Sequence, residues 1–126
     1  MKFMLTIYHD EKVLDAIPEK ERQALVDSAI EYADEIRRSG HFIASNALQP
    51  TGTARTIRTH DGRVSTTVGP FVETKERLRG YFLIEAKDID EACAIAARFP
   101  PARIAVLEVR PVQDLAHSRD RRGLPS

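Results

Sequence analysis

The chain has 126 residues, enough for one domain that buries about two-thirds of the surface its unfolded form exposes. Nineteen Lys and Arg balance nineteen Asp and Glu, so the chain lacks the positive field that drives non-specific nucleic-acid binding. Cys93 is the only cysteine, which excludes an intramolecular disulfide, and no run approaches the length of a membrane span, so a cytoplasmic, soluble protein is expected.

Lys2 to Tyr8 alternates, with Phe3, Leu5 and Ile7 on one face and Met4, Thr6 and Tyr8 on the other, which predicts a strand covered on both sides. From Pro18 to Ser39 the apolar positions Leu25, Ala29, Tyr32, Ala33 and Ile36 follow one helix face, with Pro18 as first helical residue and Gly40 as the stop. His41 to Leu48 reads as a second strand that Pro50 and Gly52 end. Thr53 to His60 and Arg63 to Val68 are β-branched runs joined by Asp61-Gly62, a two-residue hairpin signal, and their Thr and Arg content predicts a solvated excursion from the main sheet.

Arg79 to Ala86 is the next strand, apolar on both faces through Tyr81, Leu83 and Phe82, Ile84. Asp88 followed by Glu91 is a capping-box pattern, opening a second helix with Ile89, Ala92, Cys93, Ala96 and Phe99 on one side; Cys93 is expected to be a small buried residue. Pro100-Pro101 ends this helix, Arg103 to Arg110 is the last strand, and residues 113–126, with His117, Arg119, Arg121 and Arg122, are expected to be a flexible tail on a domain of residues 1–112.

The order β-α-β, hairpin, β-α-β is a ferredoxin-like α+β plan, with right-handed crossovers placing both helices on one face of an antiparallel sheet. The other face would carry Met4, Tyr8 and their neighbours, an apolar patch that a second copy can cover.

Between hairpin and strand lies V-G-P-F-V-E-T-K-E-R-L-R-G-Y, Val68 to Tyr81. Gly69 and Pro70 read as a rigid structural turn presenting Phe71, and Glu73, Lys75, Glu76, Arg77 and Arg79 follow too densely for a core segment. With G-Y-F-L-I-E from Gly80, M-K-F-M-L-T-I-Y at the start, A-L-Q-P-T-G-T-A-R-T-I-R from Ala47, D-I-D-E-A from Asp88 and L-E-V-R-P-V near the end, this stretch resembles the DGPF branch of the YCII-related domain family over Met1 to Val112. The resemblance implies a dimeric α+β barrel, two sheets packed face to face around a cleft. Val68 stands where the family usually has Asp, so chemistry performed by that acid does not carry over.

The candidate catalytic groups are Tyr8, His9 and Glu73. Tyr8-His9-Asp10 closes the first strand, where Asp10 either orients the His9 ring for proton transfer or the trio forms a polar loop. Phe71, Lys75, Tyr81 and Arg110 are the candidate ligand-binding residues; the Glu73-Lys75 cluster is either an anion-handling site or a solvated turn, and Arg110 binds a carboxylate or pairs with an acid across the sheet. The four histidines show no metal-ligand spacing, so no metal is expected, and no phosphate- or dinucleotide-binding glycine motif is present, so no cofactor is expected. The RNA-recognition plan shares the same element order, but Arg79-Gly80-Tyr81 departs from its basic-aromatic motif at Phe82. Two functions remain open: a homodimer binding a small polar or acidic molecule in the inter-sheet cleft, with or without acid-base turnover, and, as the resemblance implies, a non-catalytic accessory protein linked to an extracytoplasmic-function sigma factor.

Overall fold

The computed structural model describes residues 1–125. Alternation places strands at β1 (Lys2–Asp10), β2 (Phe42–Ala47), β5 (Glu76–Glu85) and β6 (Ala105–Pro111), which form one antiparallel sheet in the order β2-β5-β1-β6. This is the ferredoxin-like order. β3 (Arg55–His60) and β4 (Arg63–Val68) pair only with each other. Their turn has Asp61 at φ 49° and Gly62 at φ 75°, the two positive values that an Asp-Gly hairpin turn requires.

The long helix α2 (Glu19–Arg38) and the shorter α3 (Ile89–Ala97) cover one sheet face. Phe3, Leu5, Ile7, Phe82 and Ile84 point toward them and bury against Tyr32 and Ile36 of α2 and Ala92, Ile95 and Ala96 of α3. Phe82 sits at the centre, its ring edge-on to Tyr32 at 5.3 Å, Phe99 at 5.8 Å and Phe42 at 6.4 Å. The Tyr32 hydroxyl donates to the Ile95 carbonyl at 2.7 Å, which ties α2 to α3, and burial pushes its phenol up to about 12. Asp88 caps α3 by accepting from the Glu91 N–H at 2.8 Å, while Glu91 Oε1 reaches one residue past the cap and accepts from the Lys87 N–H at 3.0 Å, so only the Asp88 half of the capping box forms as expected.

Several expectations need correction. Pro18 is the N-cap residue of α2, and Glu19 is the first helical one. Cys93 is exposed, because the inward stripe of α3 runs Ala92, Ile95, Ala96 and on to Phe99, which turns Cys93 about 100° away from the core. β5 starts at Glu76, three residues before the predicted strand, since Glu76 and Arg77 pair with Asp10 and His9 despite their charge. A short helix α1 (Glu11–Ala16) follows β1, capped by Asp10, whose Oδ1 accepts from the Lys12 N–H at 3.0 Å. Residues Ala116–Arg121 form a further short, exposed helix α4.

Candidate functional site

A β-bulge sets the geometry of the site. The β1–β5 register pairs Ile7 with Gly80 and Tyr8 with Leu78, so Arg79 is an extra residue in the ladder. A bulge bends its strand and re-aims a side chain; here Arg79 lines the cleft on the helix-covered side, alongside His9, which faces that side as Ile7 does. Gly80 is buried beside it, and a Cβ there would meet the Asn46 carbonyl oxygen at 3.0 Å, so the close approach of β2 to β5 at this point favours glycine.

Two distant segments hold Arg79. Its Nη1 donates to Glu11 Oε2 at 3.1 Å and its Nε to the Leu48 carbonyl at 3.2 Å. Glu11 also accepts from the Thr51 N–H at 3.1 Å and from the Thr51 hydroxyl, which in turn accepts from Arg77 Nη1 at 3.1 Å. The Arg79 and Glu11 side chains are 17% and 19% exposed, so this pair is less screened than the surface pair Arg110–Glu108, at 73% and 48%. Burial pushes the Glu11 carboxyl up, but the Thr51 hydroxyl and N–H, then Arg79 and Arg77, outweigh it and leave the group below its ordinary range. Arg79 is thereby held in one orientation, and its Nη2 has no protein acceptor among the described residues.

His9 is half-buried, and desolvation together with the Arg79 charge holds its ring below the ordinary value of 6.5. The lowering favours the neutral ring, which makes no hydrogen bond to protein among the described residues and so has a ring nitrogen free to meet a proton of a bound molecule. The cleft beyond it measures about 570 Å³. It lies between the first half of α2 and the β2–β5 edge, with Leu25, Val26, Ala29 and Ile30 on the helix side and Ser45, Ala47 and Phe82 on the sheet side. Val26 and Ile30 are 52% and 56% exposed, since α2 seats only its second half, around Tyr32 and Ile36, against the sheet.

The candidates named from sequence divide between places. Tyr8 points to the open face, where it lines a hollow of about 280 Å³ with Met4, Thr6, Glu108 and Arg110; successive strand residues alternate, so Tyr8 and His9 do not share a site. Asp10 caps α1, and its Oδ2 lies 3.9 Å from Lys75 Nζ, so it does not orient the His9 ring. Arg110 pairs at 2.7 Å with Glu108, two residues back on its own strand β6 and not across the sheet. The Tyr81 hydroxyl accepts from Asn46 Nδ2 at 2.9 Å. Phe71 and Glu73 are exposed, and Lys75 reaches only Asp10 among the described residues, in a loop tied to the start of β5 where Arg77 Nε donates to the Thr74 carbonyl at 3.0 Å. Gly69 has φ 97°, the conformation expected of the Gly-Pro turn, and the Thr56 hydroxyl donates to its carbonyl at 2.7 Å.

Glu11, Thr51 and Arg79 were missed as site residues because no local spacing joins them. The available signal was Asp10-Glu11 followed by Val13, Leu14 and Ile17, an N-cap and apolar stripe that mark α1. Among the described residues no group of His, Cys, Asp and Glu is arranged to hold a metal ion, and no helix is long and apolar enough to cross a membrane.

The YCII-related domain matches residues 1–116. An uncharacterised protein of Rhizobium meliloti (strain 1021) is 31% identical over 114 residues, covering 89% of this chain and 92% of that protein. The chain belongs to the YCII-related domain family.

Proposed function

Taking that membership as premise, we propose that this protein is a cytoplasmic homodimer that binds a small acidic molecule in the cleft between α2 and the β2–β5 edge, where His9 exchanges a proton with it. The observation that carries the reading is a half-buried imidazole lining the same cleft as a guanidinium fixed by Glu11 and the Leu48 carbonyl, with burial and the Arg79 charge holding the imidazole pKa down. Arg79 attracts the anion, and the water-poor setting strengthens that attraction. The larger hollow lies on the helix side of the sheet, so the ligand is assigned there and the space between two sheets is left to dimer contact.

The dimer rests on the open face. Met4, Tyr8, Tyr81 and Leu83 are half-buried there without a covering element, and Leu78 and Val106 are 42% and 49% exposed. A second copy laid sheet to sheet would remove this surface from water.

A regulatory role through protein contacts, such as the sigma-factor link that the resemblance implies, is the second reading. The observation that favours it is the hairpin and loop, where Ile57, Val64 and Phe71 are 68%, 67% and 71% exposed on a two-stranded unit with no sheet behind it.

Nuclear magnetic resonance mapping with a panel of small carboxylic acids, hydroxy acids and phenols tests the first reading. Saturable shifts at the His9 ring, at Arg79 Nε and along α2 from Leu25 to Ile30 are expected. Shifts confined to Tyr8 and Arg110, or none with any compound, would contradict it.

A further inference from the structure

The cleft has unlike ends. Toward β1 it is polar, with His9, Arg79 and, from the first turn of α2, Arg22. Along α2 it is apolar, and Leu25, Val26, Ala29 and Ile30 fill consecutive positions of its wall, with Phe82 and Phe99 at its floor. Val26, Ile30 and Leu48 are exposed at its rim, an apolar border that a wholly polar ligand would leave wet.

Charge limits the head group. Around the polar end stand Arg22, Arg77 and Arg79 against Glu11 and Asp15, which leaves one net positive charge. A monoanion neutralises it, whereas a phosphate dianion overshoots. Arg79 has its Nε–H and one Nη1–H committed, so it presents Nη2 and the remaining Nη1–H to the cleft; Arg22 has no carboxylate partner among the described residues and is free to add a second contact to the same anion. One fixed and one mobile guanidinium suit the two oxygens of a carboxylate.

We infer that the cleft takes a monocarboxylate carrying an apolar, aryl-sized body, with the carboxylate on Arg79 and Arg22 and the body laid along Leu25, Val26 and Ile30. This rests on the reading of the cleft as the ligand site and names its substrate class. A cleft of about 570 Å³ lies within the range of about 300–1,000 Å³ typical of small-molecule sites. His9, at the polar end, then faces the atoms next to the carboxylate, where an acidic C–H or O–H would meet a neutral imidazole.

Calorimetric titration of the full chain with four probes separates the claims. These are 2-naphthoate, 2-naphthalenemethanol as the same body without charge, acetate as the head without body, and 2-naphthyl phosphate as a dianion at pH 8. The naphthoate should bind at least about tenfold more tightly than each of the others, the scale of one charge-assisted hydrogen bond or one buried ring. Arg79→Gln should remove the preference for naphthoate over the alcohol. Because that change leaves Glu11 without its cation, the double variant Arg79→Gln with Glu11→Gln, which removes both charges, is measured beside it. Val26→Gln, a polar but uncharged change at an exposed position of the apolar wall, should weaken the naphthoate and the naphthalenemethanol alike. If acetate or small hydroxy acids bind as tightly as naphthoate, or the alcohol binds equally well, the substrate class is wrong while the cleft survives as a site. If no probe and no small acid binds, both fall.

Discussion

The two faces of the sheet are made from the same strands and have opposite fates. On the covered face Phe3, Leu5 and Ile84 are fully buried, and its charged departure from apolar character is at its β1 end, where a bulge turns Arg79 toward His9. On the open face Tyr8, Thr6, Glu108 and Arg110 mix with Met4 and Leu83, and pairs such as Arg110–Glu108 lie in solvent. The difference shows that charge density alone does not mark a site. The Glu73–Lys75 loop is densely charged too, yet the group with a lowered pKa and no protein partner among the described residues is His9, in the cleft.

The contrast can be broken most strongly at Phe82. Phe82→Ala removes the ring that touches Tyr32, Phe42 and Phe99, and urea unfolding should show a loss of about 3–5 kcal/mol. A loss below about 1 kcal/mol would mean that the covered face is not the core. Gly69→Val comes next: nothing crowds a Cβ there, so the cost is backbone strain at φ 97°, about 1–3 kcal/mol.

Smaller effects should come from the exposed regions. Glu73→Gln with Lys75→Met should change stability by less than about 1 kcal/mol, since Lys75 is 81% exposed and its carboxylate neighbour is 3.9 Å away. Unaltered ligand binding in that variant would remove the loop from the site and sharpen the assignment to His9 and Arg79. Val106→Glu on the open face should shift folding stability by no more than about 0.5 kcal/mol yet halve the mass seen by light scattering. The parent protein should scatter as twice the chain mass of 14.2 kDa, and a parent that is already monomeric would remove the dimer from the account.

What the sequence disclosed follows from the range of the forces involved. Periodicity, capping and turn chemistry are local, so the strands, α2, the Asp88 cap of α3 and the Asp61-Gly62 turn could all be read from neighbours in the chain. His9 was visible as a polar residue at a strand end. Its partner was not, because Arg79 reaches it only through a one-residue bulge between strands far apart in sequence, and the hold on Arg79 comes from Glu11 and Leu48, 68 and 31 residues away. A run of five charged residues drew attention to Glu73 and Lys75, whereas two of the same run, Arg77 and Arg79, are the ones that the pairing with β1 turns inward. For α3 the error was one of phase, with Cys93 taken in place of Ile95.

The most direct test is the titration of the His9 ring, followed by nuclear magnetic resonance in the parent protein and in Arg79→Gln. Desolvation first and the Arg79 charge second hold the folded-state pKa below 6.5, so the unfolded chain binds the proton more tightly than the folded one. The folding stability contributed by neutral His9 is therefore fully present above pH 6.5 and is lost as pH falls through the lowered value. The account predicts a parent pKa below 6.5 that rises, without reaching 6.5, when Arg79 is neutralised, because burial remains. A parent value at or above 6.5, or no response to Arg79→Gln, would contradict it.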